Sequence, residues 1–486
     1  MSSKPPNGPR MASTPRTKLW TVGTLTYTTG GIMVLFCWLL WGDFAWSMRE
    51  RSVGPMASWY LKHIGVSNLL FGLLMSSFPA LVGLILGPII SVKSDRHRGK
   101  WGRRIPYLLI TTPIAALGML GLAFTPVMAD WLHGLGQPGS ALGAQLHSAL
   151  GGGAGGRLLA TLENPVVVAL VCFGIFWAAF EFATIAGQAV LGGLINDVVP
   201  QELLGRFYGL FRAVSLIGGM IFNFWIMGLV PNHFTLIMAI IAVFYGIAFI
   251  WVCFKVREGE YPPPPPREPG APGPLGGMAS SVRVYFRESF THAYYLWVFV
   301  MMMAAAVCFL PMNVFTIPYA EKVGVTMEDL GEAIALTYLI SLVLAYPLGW
   351  LADKFHPLRV SIAALIGYVL VSAWGFFFAT TQWTFLAALV AHGVLSGTYF
   401  TSAASLGQRL FPREKFAQFA SAAGIIAAPA NMALAPVVGT IVDWTGDEYR
   451  YTFASASVLA FIALLASWHV HSQFMKLGGP KNYIAP

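Results

Sequence analysis

Twelve long apolar stretches run through this sequence of 486 residues. A bilayer core of roughly 30 Å takes about 20 helical residues to cross, and a backbone inside it has to satisfy its own hydrogen bonds. The stretches are therefore predicted to be membrane-spanning helices, and the fold class is an all-α polytopic membrane protein. The predicted spans are 28–48, 68–90, 107–126, 165–193, 207–229, 234–253, 294–315, 331–351, 359–380, 384–405, 416–441 and 452–471. The first is expected to extend to about Lys62, with a kink at Pro55.

The composition excludes several other classes. Hydrophobic residues make up 56% of the chain and charged residues 10%, whereas soluble domains have about 45–50% and about 25%. A soluble enzyme, a disulfide scaffold and a disordered chain are excluded. The four cysteines lie in separate apolar runs without paired spacing, so we expect no disulfide, metal site or cofactor. No short apolar core with a cleavage site precedes the first span, so no removable signal peptide is expected.

A proline-rich segment divides the spans into two sets of six. It begins at Tyr261 with five consecutive prolines, a composition typical of an extended linker. The expected organisation is an N-terminal tail at 1–24, a six-helix bundle at 25–254, a linker at 255–291, a second bundle at 292–472 and a C-terminal tail at 473–486. The outer loop at 127–164 has no predicted role.

The distribution of basic residues sets the orientation. Placing both termini in the cytoplasm assigns 23 Lys and Arg residues to cytoplasmic segments and six to outer segments. Short cytoplasmic loops carry such an excess in membrane proteins. The imbalance explains the net charge of +9 without a nucleic acid partner. The lipid bilayer is the expected surrounding, and the predicted location is a cell membrane (plasma or inner), crossed many times.

The densest motif lies between the second and third spans. Asp95-Arg96 is followed by Arg98 and then by Trp101-Gly102-Arg103-Arg104-Ile105-Pro106, and a weaker counterpart containing Asp353 follows span eight. A carboxylate at a helix end that faces basic residues can latch two bundles together on one side of the membrane. For the arginines alone, anchoring by positive charge is an equal alternative. The candidate latch residues are Asp95, Arg96, Arg98, Arg103, Arg104 and Asp353.

This motif and its echo, in twelve spans arranged as two halves, resemble the major facilitator superfamily. The run from Asp95 to Pro106 resembles the glycoside–pentoside–hexuronide cation symporters and the related sucrose-transporter-like proteins. The resemblance implies a major facilitator fold of two six-helix bundles and a secondary transporter of a sugar or glycoside that works by alternating access. It also implies a substrate site near mid-membrane between the bundles. We expect a monomer.

Charged residues inside spans are candidates for function, because burying them in hydrocarbon is unfavourable. Glu181 shares one face of span four with Trp177 and Gln188, and Arg212 shares a face of span five with Asn223. If the chain turns at Asn196-Asp197, Glu181 and Arg212 lie at similar depth. If it turns nearer Pro200, they are offset by about 10 Å.

The resembled family places an acidic residue in span four and an arginine in span five at sugar-binding positions, where Glu181 and Arg212 fall. The hypothesis makes Glu181 a proton acceptor and a sugar ligand that is paired with Arg212. A permanent structural ion pair, or an Arg212 that reaches the inner interface, is the alternative.

Asp43 and Trp46 are further candidates in span one. The resemblance makes an acidic residue there a sugar contact, and Asp43 is a second proton-coupling candidate. Tryptophan suits the apolar face of a sugar ring. The alternative puts Asp43 near the outer surface in water. Arg49, Glu50 and Arg51 line the cavity if the first span is long and belong to a loop if it is short.

The second half offers Asn313, His392 and Tyr399 as substrate-binding candidates. Sodium-using members of the resembled family carry two carboxylates in span two, at positions that are Gly83 and Gly87 here. Glycine has no side chain to bind sodium, so a proton is the expected coupling ion. An uncoupled facilitator remains open, as does an exporter of a drug-like or lipid-like solute. No enzyme is expected, because the sequence has no catalytic motif such as His-Glu-x-x-His or Gly-x-Ser-x-Gly.

Overall fold

The computed structural model describes residues 19–137, 139–150, 156, 163–262, 287, 289–412 and 415–486. Residues 1–18 of the predicted N-terminal tail and most of the proline-rich linker lie outside the described residues. The membrane-crossing helices, labelled α1 to α12, confirm the predicted all-α polytopic fold. They are α1 Thr29–His63, α2 Asn68–Arg96, α3 Ile105–Gly136, α4 Pro165–Val198, α5 Gln201–Ile221, α6 Val230–Lys255, α7 Ala293–Lys322, α8 Met327–Phe355, α9 Pro357–Phe378, α10 Gln382–Ala403, α11 Phe416–Trp444 and α12 Tyr451–Lys476.

Several helices extend beyond the apolar stretches that predicted them. Helix α1 begins after Thr28, whose side chain accepts a hydrogen bond from the Gly31 N–H, and continues through Pro55 to His63. Helix α3 continues to Gly136, so the first ten residues of the predicted outer loop are helical, and a short helix Ala141–Leu150 follows. An apolar stretch marks only the part of a helix that lies in hydrocarbon. The helix itself continues as long as its backbone hydrogen bonds remain favourable.

Helices α5 and α6 are joined without a loop. After α5 the chain forms a π-helical turn, Phe222–Ile226, and a 3-10 turn, Met227–Leu229. The helical run Gln201–Lys255 has 55 residues, about 82 Å at 1.5 Å per residue, which exceeds twice the bilayer core. The backbone breaks at His233, where φ is −133° and ψ is 29°. This run therefore supplies two crossings. For that reason the described residues form eleven continuous helical segments of membrane length, whereas the sequence predicts twelve spans.

Helices pack mainly within each half of the chain. In the first half, α3 packs along α4 and α6, and α1 packs on α5 and α6. In the second half, α9 lies between α10 and α12, and α7 packs on α11 and α12. Helix α2 meets α11 and α5 meets α8 across the boundary between the halves. These two helix pairs define the space in which a site shared by both halves can form.

The halves meet at their outer ends in a polar cluster, which we call the outer contact: Lys62, Asn68, Asp443, Asp447 and Tyr449. The Asp443 carboxylate accepts hydrogen bonds from the backbone N–H groups of Asn68 (3.0 Å) and Leu69 (2.9 Å). A carboxylate at that place caps the first turn of α2, whose N–H groups have no partner within the helix.

The Asn68 side chain occupies the centre of the outer contact. Its amide nitrogen donates to Asp443 (2.8 Å) and Asp447 (2.7 Å), and its oxygen accepts from Lys62 (2.7 Å) and Tyr449 (2.6 Å). Burial raises the pKa of the Tyr449 hydroxyl, so this group stays protonated and donates. All four hydrogen-bonding positions of the amide are thus engaged, which locks the outer ends together.

Glycines allow the backbones to approach closely beside the outer contact. A Cβ atom on Gly439 would lie 2.3 Å from the Asn68 carbonyl oxygen, and one on Gly72 would lie 2.7 Å from the Ala435 backbone. In the described part of the chain, the hydrogen bonds between α2 and α11 extend inward as far as Ser77. Further inward, side chains such as Ile89 and Tyr346 are exposed. In the described residues no hydrogen bond joins α2 to α11 beyond Ser77, so the halves are closed at the ends predicted to be outer and open at the ends predicted to be inner.

The close approach at Gly439 gives a first prediction. Gly439→Ala should disfavour the closed outer side, because its methyl group collides with the backbone of α2 and cannot be moved aside. Distances between spin labels at Asn232 and Thr380, which are exposed at the outer ends of the two halves, should lengthen in pulsed electron resonance. Gly424→Ala on the same helix is the matched control, since nothing lies within 4 Å of its Cβ position. Unchanged distances in Gly439→Ala would refute this account of closure.

Candidate functional site

A cavity of about 320 Å³ lies between the two halves, just inside the outer contact. Helices α1, α2 and α5 line it from the first half, and α7, α8 and α10 line it from the second. Its polar lining consists of Arg51, Ser58, Asn223, Asn313, Thr316, Thr337, Tyr338 and His392. The structure thus brings together three of the predicted substrate-binding residues, Asn223, Asn313 and His392.

The π-helical turn after α5 positions Asn223. This side chain is 2% exposed, and its amide nitrogen donates to the Gly219 carbonyl at 2.8 Å. Its Oδ1 atom is buried and has no hydrogen-bond partner. Buried polar atoms normally have partners, and π-helical turns are frequent at functional sites. The unsatisfied oxygen and the π-helical turn together make Asn223 a candidate functional residue, although the oxygen is buried in this conformation.

Arg51 joins the two halves across the cavity. One of its terminal nitrogens donates to the Tyr338 hydroxyl of α8 at 3.3 Å, and the guanidinium carbon lies 5.2 Å from the centre of the Tyr338 ring. Its Nε atom is buried without a partner. Because α1 is helical throughout this region, Arg49, Glu50 and Arg51 belong to the membrane-crossing helix and not to an outer loop.

Asn313 and His392 are coupled on the opposite wall. The His392 Nε2 atom lies 3.1 Å from Asn313 Oδ1, and its Nδ1 atom lies 2.8 Å from the Tyr368 hydroxyl. Helix α7 is interrupted between Ala293–Val307 and Leu310–Lys322, and Asn313 lies in the first turn of the second segment. His392 is 2% exposed, whereas Asn313 is exposed to the cavity.

A second polar cluster lies inside the first half, around Arg49. Its guanidinium carbon is 4.0 Å from the centre of the Trp46 ring, 5.2 Å from that of Tyr245 and 5.8 Å from that of Phe180. Arg49 is 4% exposed, and its Nε and Nη1 atoms have no hydrogen-bond partner. Such contacts with ring faces stabilise a desolvated cation. Arg49 is also the charged group that acts on the Glu181 carboxylate.

The predicted pairing of Glu181 with Arg212 is wrong in this conformation. Arg212 is exposed, and the charges that act on it are those of Arg51 and Glu50. The reason is the position of the turn: α4 runs to Val198 and α5 begins at Gln201, so the two side chains are offset along the membrane normal. At 1.5 Å per residue the offset is about 9 Å. The charge that acts on Glu181 is instead that of Arg49 on α1.

Asp43 lies in the middle of α1, away from the outer surface, so the alternative of a water-exposed carboxylate is excluded. It is 2% exposed, and Ser47 donates to its Oδ1 atom over a long 3.4 Å. Its Oδ2 atom has no partner. Asp43 is separate from the cavity lining, yet it carries an unsatisfied oxygen in the interior of the first half.

Four other predicted binding residues lie outside the cavity lining. Trp46 packs against Arg49, and Trp177 donates from Nε1 to the Leu74 carbonyl at 3.0 Å. Tyr399 is 4% exposed and packs against Phe309. Gln188 is exposed on α4. An aromatic or polar residue in an apolar span can face packing or a cavity, and its residue type alone does not distinguish these environments.

The predicted latch residues form ion pairs within each half. Arg103 donates to Asp197 at 2.8 Å, and Arg104 binds both Asp95 and Asp197. In the second half, Asp353 lies 3.4 Å from Arg409. Arg98 donates to backbone carbonyls, including that of Pro262, and Arg96 is exposed. In this conformation, with the inner side open, these described pairs do not join the two halves.

Glu258, which follows α6, also belongs to this inner network. Its carboxylate accepts hydrogen bonds from the backbone N–H groups of Arg103, Arg104 and Ile105. It therefore caps the start of α3 as Asp443 caps the start of α2. The Tyr261 hydroxyl donates to the same carboxylate at 2.8 Å, and its ring centre lies 4.2 Å from the Arg103 guanidinium carbon.

The sequence analysis missed Tyr338, Tyr368 and the outer contact, and it left Arg49 undecided. The sequence signal for Arg49 was that it is a charged residue next to an apolar span. Nothing in the sequence separates Tyr338 and Tyr368 from tyrosines that serve in packing, because their role depends on a partner on another helix. The partners Asn68 and Asp443 are 375 residues apart.

Known proteins give consistent similarities. The sequence profile of the Major Facilitator Superfamily matches residues 297–474. The mouse (Mus musculus) protein Solute carrier family 45 member 4 is 23% identical over 259 residues, which cover 49% of this chain and 29% of that protein. The match therefore spans less than a third of that relative's length.

Solved structures show the same fold. The D-xylose-proton symporter superimposes with a TM-score of 0.59 at 12% identity, over 90% of this chain and 97% of that one. A bacterial homologue of the iron transporter ferroportin is 14% identical, and its structures cover 90% of this chain. Its inward-facing state gives a TM-score of 0.60 over 98% of that chain. Its outward-facing state gives a TM-score of 0.54 over 99% of that chain. The second half of the chain thus matches the profile of the Major Facilitator Superfamily, and the fold of the chain is similar to that of solved membrane transporters.

Proposed function

We propose that this transporter carries a sugar or glycoside together with a proton, by alternating access. The observation that carries the proposal is the cavity between the halves, to which both halves contribute hydrogen-bonding side chains. A ligand held by both halves ties its binding to their relative position, which is what a transport cycle requires.

The chemistry of the cavity favours a ligand rich in hydroxyl groups. Arg51 and Asn313 offer donors, Ser58 and Thr337 contribute hydroxyl groups, and the Tyr338 ring offers an aromatic face. A sugar presents hydroxyl groups around its edge and C–H groups on its faces, so it matches this mixture. The cavity volume lies at the lower end of the roughly 300–1,000 Å³ typical of small-molecule sites. The similar D-xylose-proton symporter carries, by its name, a ligand of this class.

Two carboxyl groups in the first half are suited to carry a proton. Glu181 lies beside the enclosed charge of Arg49, and the buried Asp43 has an oxygen without a partner. When Glu181 takes up a proton, Arg49 loses the charge that balances it inside the protein. An unbalanced buried charge is strongly unfavourable, so protonation changes which packing of α1 against α4 is preferred. This is the differential affinity that couples a proton to a conformational change.

The closure of the inner side completes the proposed cycle. In the outward-facing state the outer contact has to open, and the inner ends of the halves have to meet. The side chains of Arg96 and of Asp353, which pairs with Arg409 in this conformation, are exposed at the inner ends and would join the Asp95 and Arg104 network across that boundary. The latch role of these residues therefore belongs to the outward-facing state. An uncoupled facilitator and an exporter of a drug-like or lipid-like solute are the alternatives that the experiments below separate.

Proton coupling is tested at Glu181. In liposomes with an imposed pH gradient, Glu181→Gln should lose uphill accumulation of the transported sugar, because glutamine cannot exchange a proton. Exchange of labelled for unlabelled sugar should persist, since it needs no net proton movement. Glu202→Gln, at an exposed position in the first turn of α5, is the matched control. Uphill uptake that survives in Glu181→Gln removes this residue from coupling, and a wild type without uphill uptake indicates a facilitator.

The coupling ion is tested by replacing sodium. Uptake at constant pH should stay the same when sodium is exchanged for choline, because the positions of Gly83 and Gly87 supply no carboxylate. A Cβ atom at either position would meet nothing within 4 Å. Gly87→Ala is therefore the control, and its uptake should equal that of the wild type with either cation. Strong stimulation by sodium would contradict proton coupling.

The Arg49–Glu181 pairing is tested by a double-mutant cycle. Thermal unfolding of Arg49→Gln, Glu181→Gln and the double variant should be non-additive by about 0.5–3 kcal/mol, because each single change leaves the other charge without its partner. The same cycle with Arg212→Gln in place of Arg49→Gln should be additive within about 0.5 kcal/mol. The reverse result would restore the pairing that the sequence predicted.

A further inference from the structure

Tyr368 begins a chain of hydrogen bonds that reaches the cavity wall. Its side chain on α9 is fully buried, its ring centre lies 4.4 Å from that of Phe309, and its hydroxyl lies 2.8 Å from His392 Nδ1. His392 Nε2 lies 3.1 Å from Asn313 Oδ1. Three helices thus contribute one residue each to a linear arrangement, and Asn313 is the member that is exposed to the cavity.

A single proton fixes the direction of these hydrogen bonds. The Tyr368 hydroxyl has one hydrogen, and its two possible acceptors are His392 Nδ1 at 2.8 Å and the Cys308 carbonyl at 3.5 Å. The shorter distance is a normal O–H···N length, and the longer one is at the limit of a hydrogen bond. Tyr368 therefore donates to Nδ1, and the proton of the neutral imidazole lies on Nε2.

The position of that proton also orients the Asn313 amide. A protonated Nε2 needs an acceptor, so it holds the amide oxygen of Asn313 towards His392. The amide nitrogen, with its two hydrogens, is then left facing the cavity. The residue that touches the ligand is Asn313, while His392 and Tyr368 decide which end of its amide the ligand meets.

We propose that Tyr368 is a positioning residue for ligand specificity: acting through neutral His392, it holds the Asn313 amide so that its NH₂ group donates to a hydroxyl or ring oxygen of the ligand. This inference rests on the proposed sugar-binding function of the cavity. It also assigns His392 to orientation rather than to proton transfer, because both ring nitrogens are engaged. Without the Tyr368 hydroxyl, either tautomer of His392 is possible, and Asn313 can turn its oxygen to the cavity instead.

The tautomer is tested first, without any ligand. In ¹⁵N-histidine-labelled protein, with the His392 signals assigned by their loss in His392→Gln, the wild type should show the tautomer protonated at Nε2. Tyr368→Phe should shift the Nδ1 resonance or populate both tautomers. Tyr319→Phe is the matched control, because it also removes a buried hydroxyl, one that donates to the Ala379 carbonyl at 2.6 Å away from the cavity lining. A wild type protonated at Nδ1, or unchanged spectra in Tyr368→Phe, would overturn the proposal.

Binding is tested second, by thermal shift with glucose, galactose, xylose, maltose and sucrose as probes. For the sugar that stabilises the wild type most, Tyr368→Phe should weaken binding by about three- to tenfold, the range of one neutral hydrogen bond. Asn313→Ala should remove this effect, so that the double variant binds no more weakly than Asn313→Ala alone. Tyr319→Phe should stay within about twofold of the wild type. If Tyr368→Phe weakens binding as much in Asn313→Ala as in the wild type, the positioning role of Tyr368 is refuted.

The two tests fail in different ways. If no sugar stabilises the wild type, the proposed function is contradicted, and with it the ligand class inferred for Asn313. If sugars bind but the wild-type tautomer is protonated at Nδ1, the proposed function stands and the positioning role is wrong.

Discussion

A helix that crosses a bilayer has to keep its backbone hydrogen bonded, whatever side chains it carries. Helix α1 obeys this constraint through Arg49, Glu50 and Arg51, three charged residues in succession. Successive helical residues point about 100° apart, so these charges are sent to different surroundings. Arg49 enters the aromatic cluster beside Glu181, while Arg51 reaches the cavity and Tyr338. The positions of both polar centres thus follow from one uninterrupted helix.

The two halves contribute differently to the site. The first half holds the charges, with Asp43, Arg49 and Glu181 in its interior. The second half presents neutral groups: Asn313, Tyr338 and His392 line the cavity, and Tyr368 contacts His392 from behind. A ligand in the cavity lies between an interior that can change its charge and a wall whose hydrogen bonds are fixed. Such a division lets proton uptake alter the position of one half while the other keeps its recognition geometry.

Much of the fold could be predicted from the sequence, because apolar stretches of membrane length have one solution in hydrocarbon. The helices followed from these stretches, and Asn223, Asn313 and His392 were candidates because they are polar residues within them. The partner of Glu181 could not be predicted, since its depth relative to Arg212 depends on a shift of a few residues in the α4–α5 turn. Tyr368 could not be recognised, because its significance lies in one proton shared with a residue 24 positions away.

The capping of α3 by Glu258 has a mechanical consequence. The chain leaves α6 at Lys255, yet Glu258 and Tyr261 bind it again to the beginning of α3. The linker between the halves therefore leaves the first half beside the inner end of α3 and not directly from α6. Any pull exerted when the halves separate on the cytoplasmic side is delivered to Arg103 and Arg104, the same arginines that hold Asp95 and Asp197.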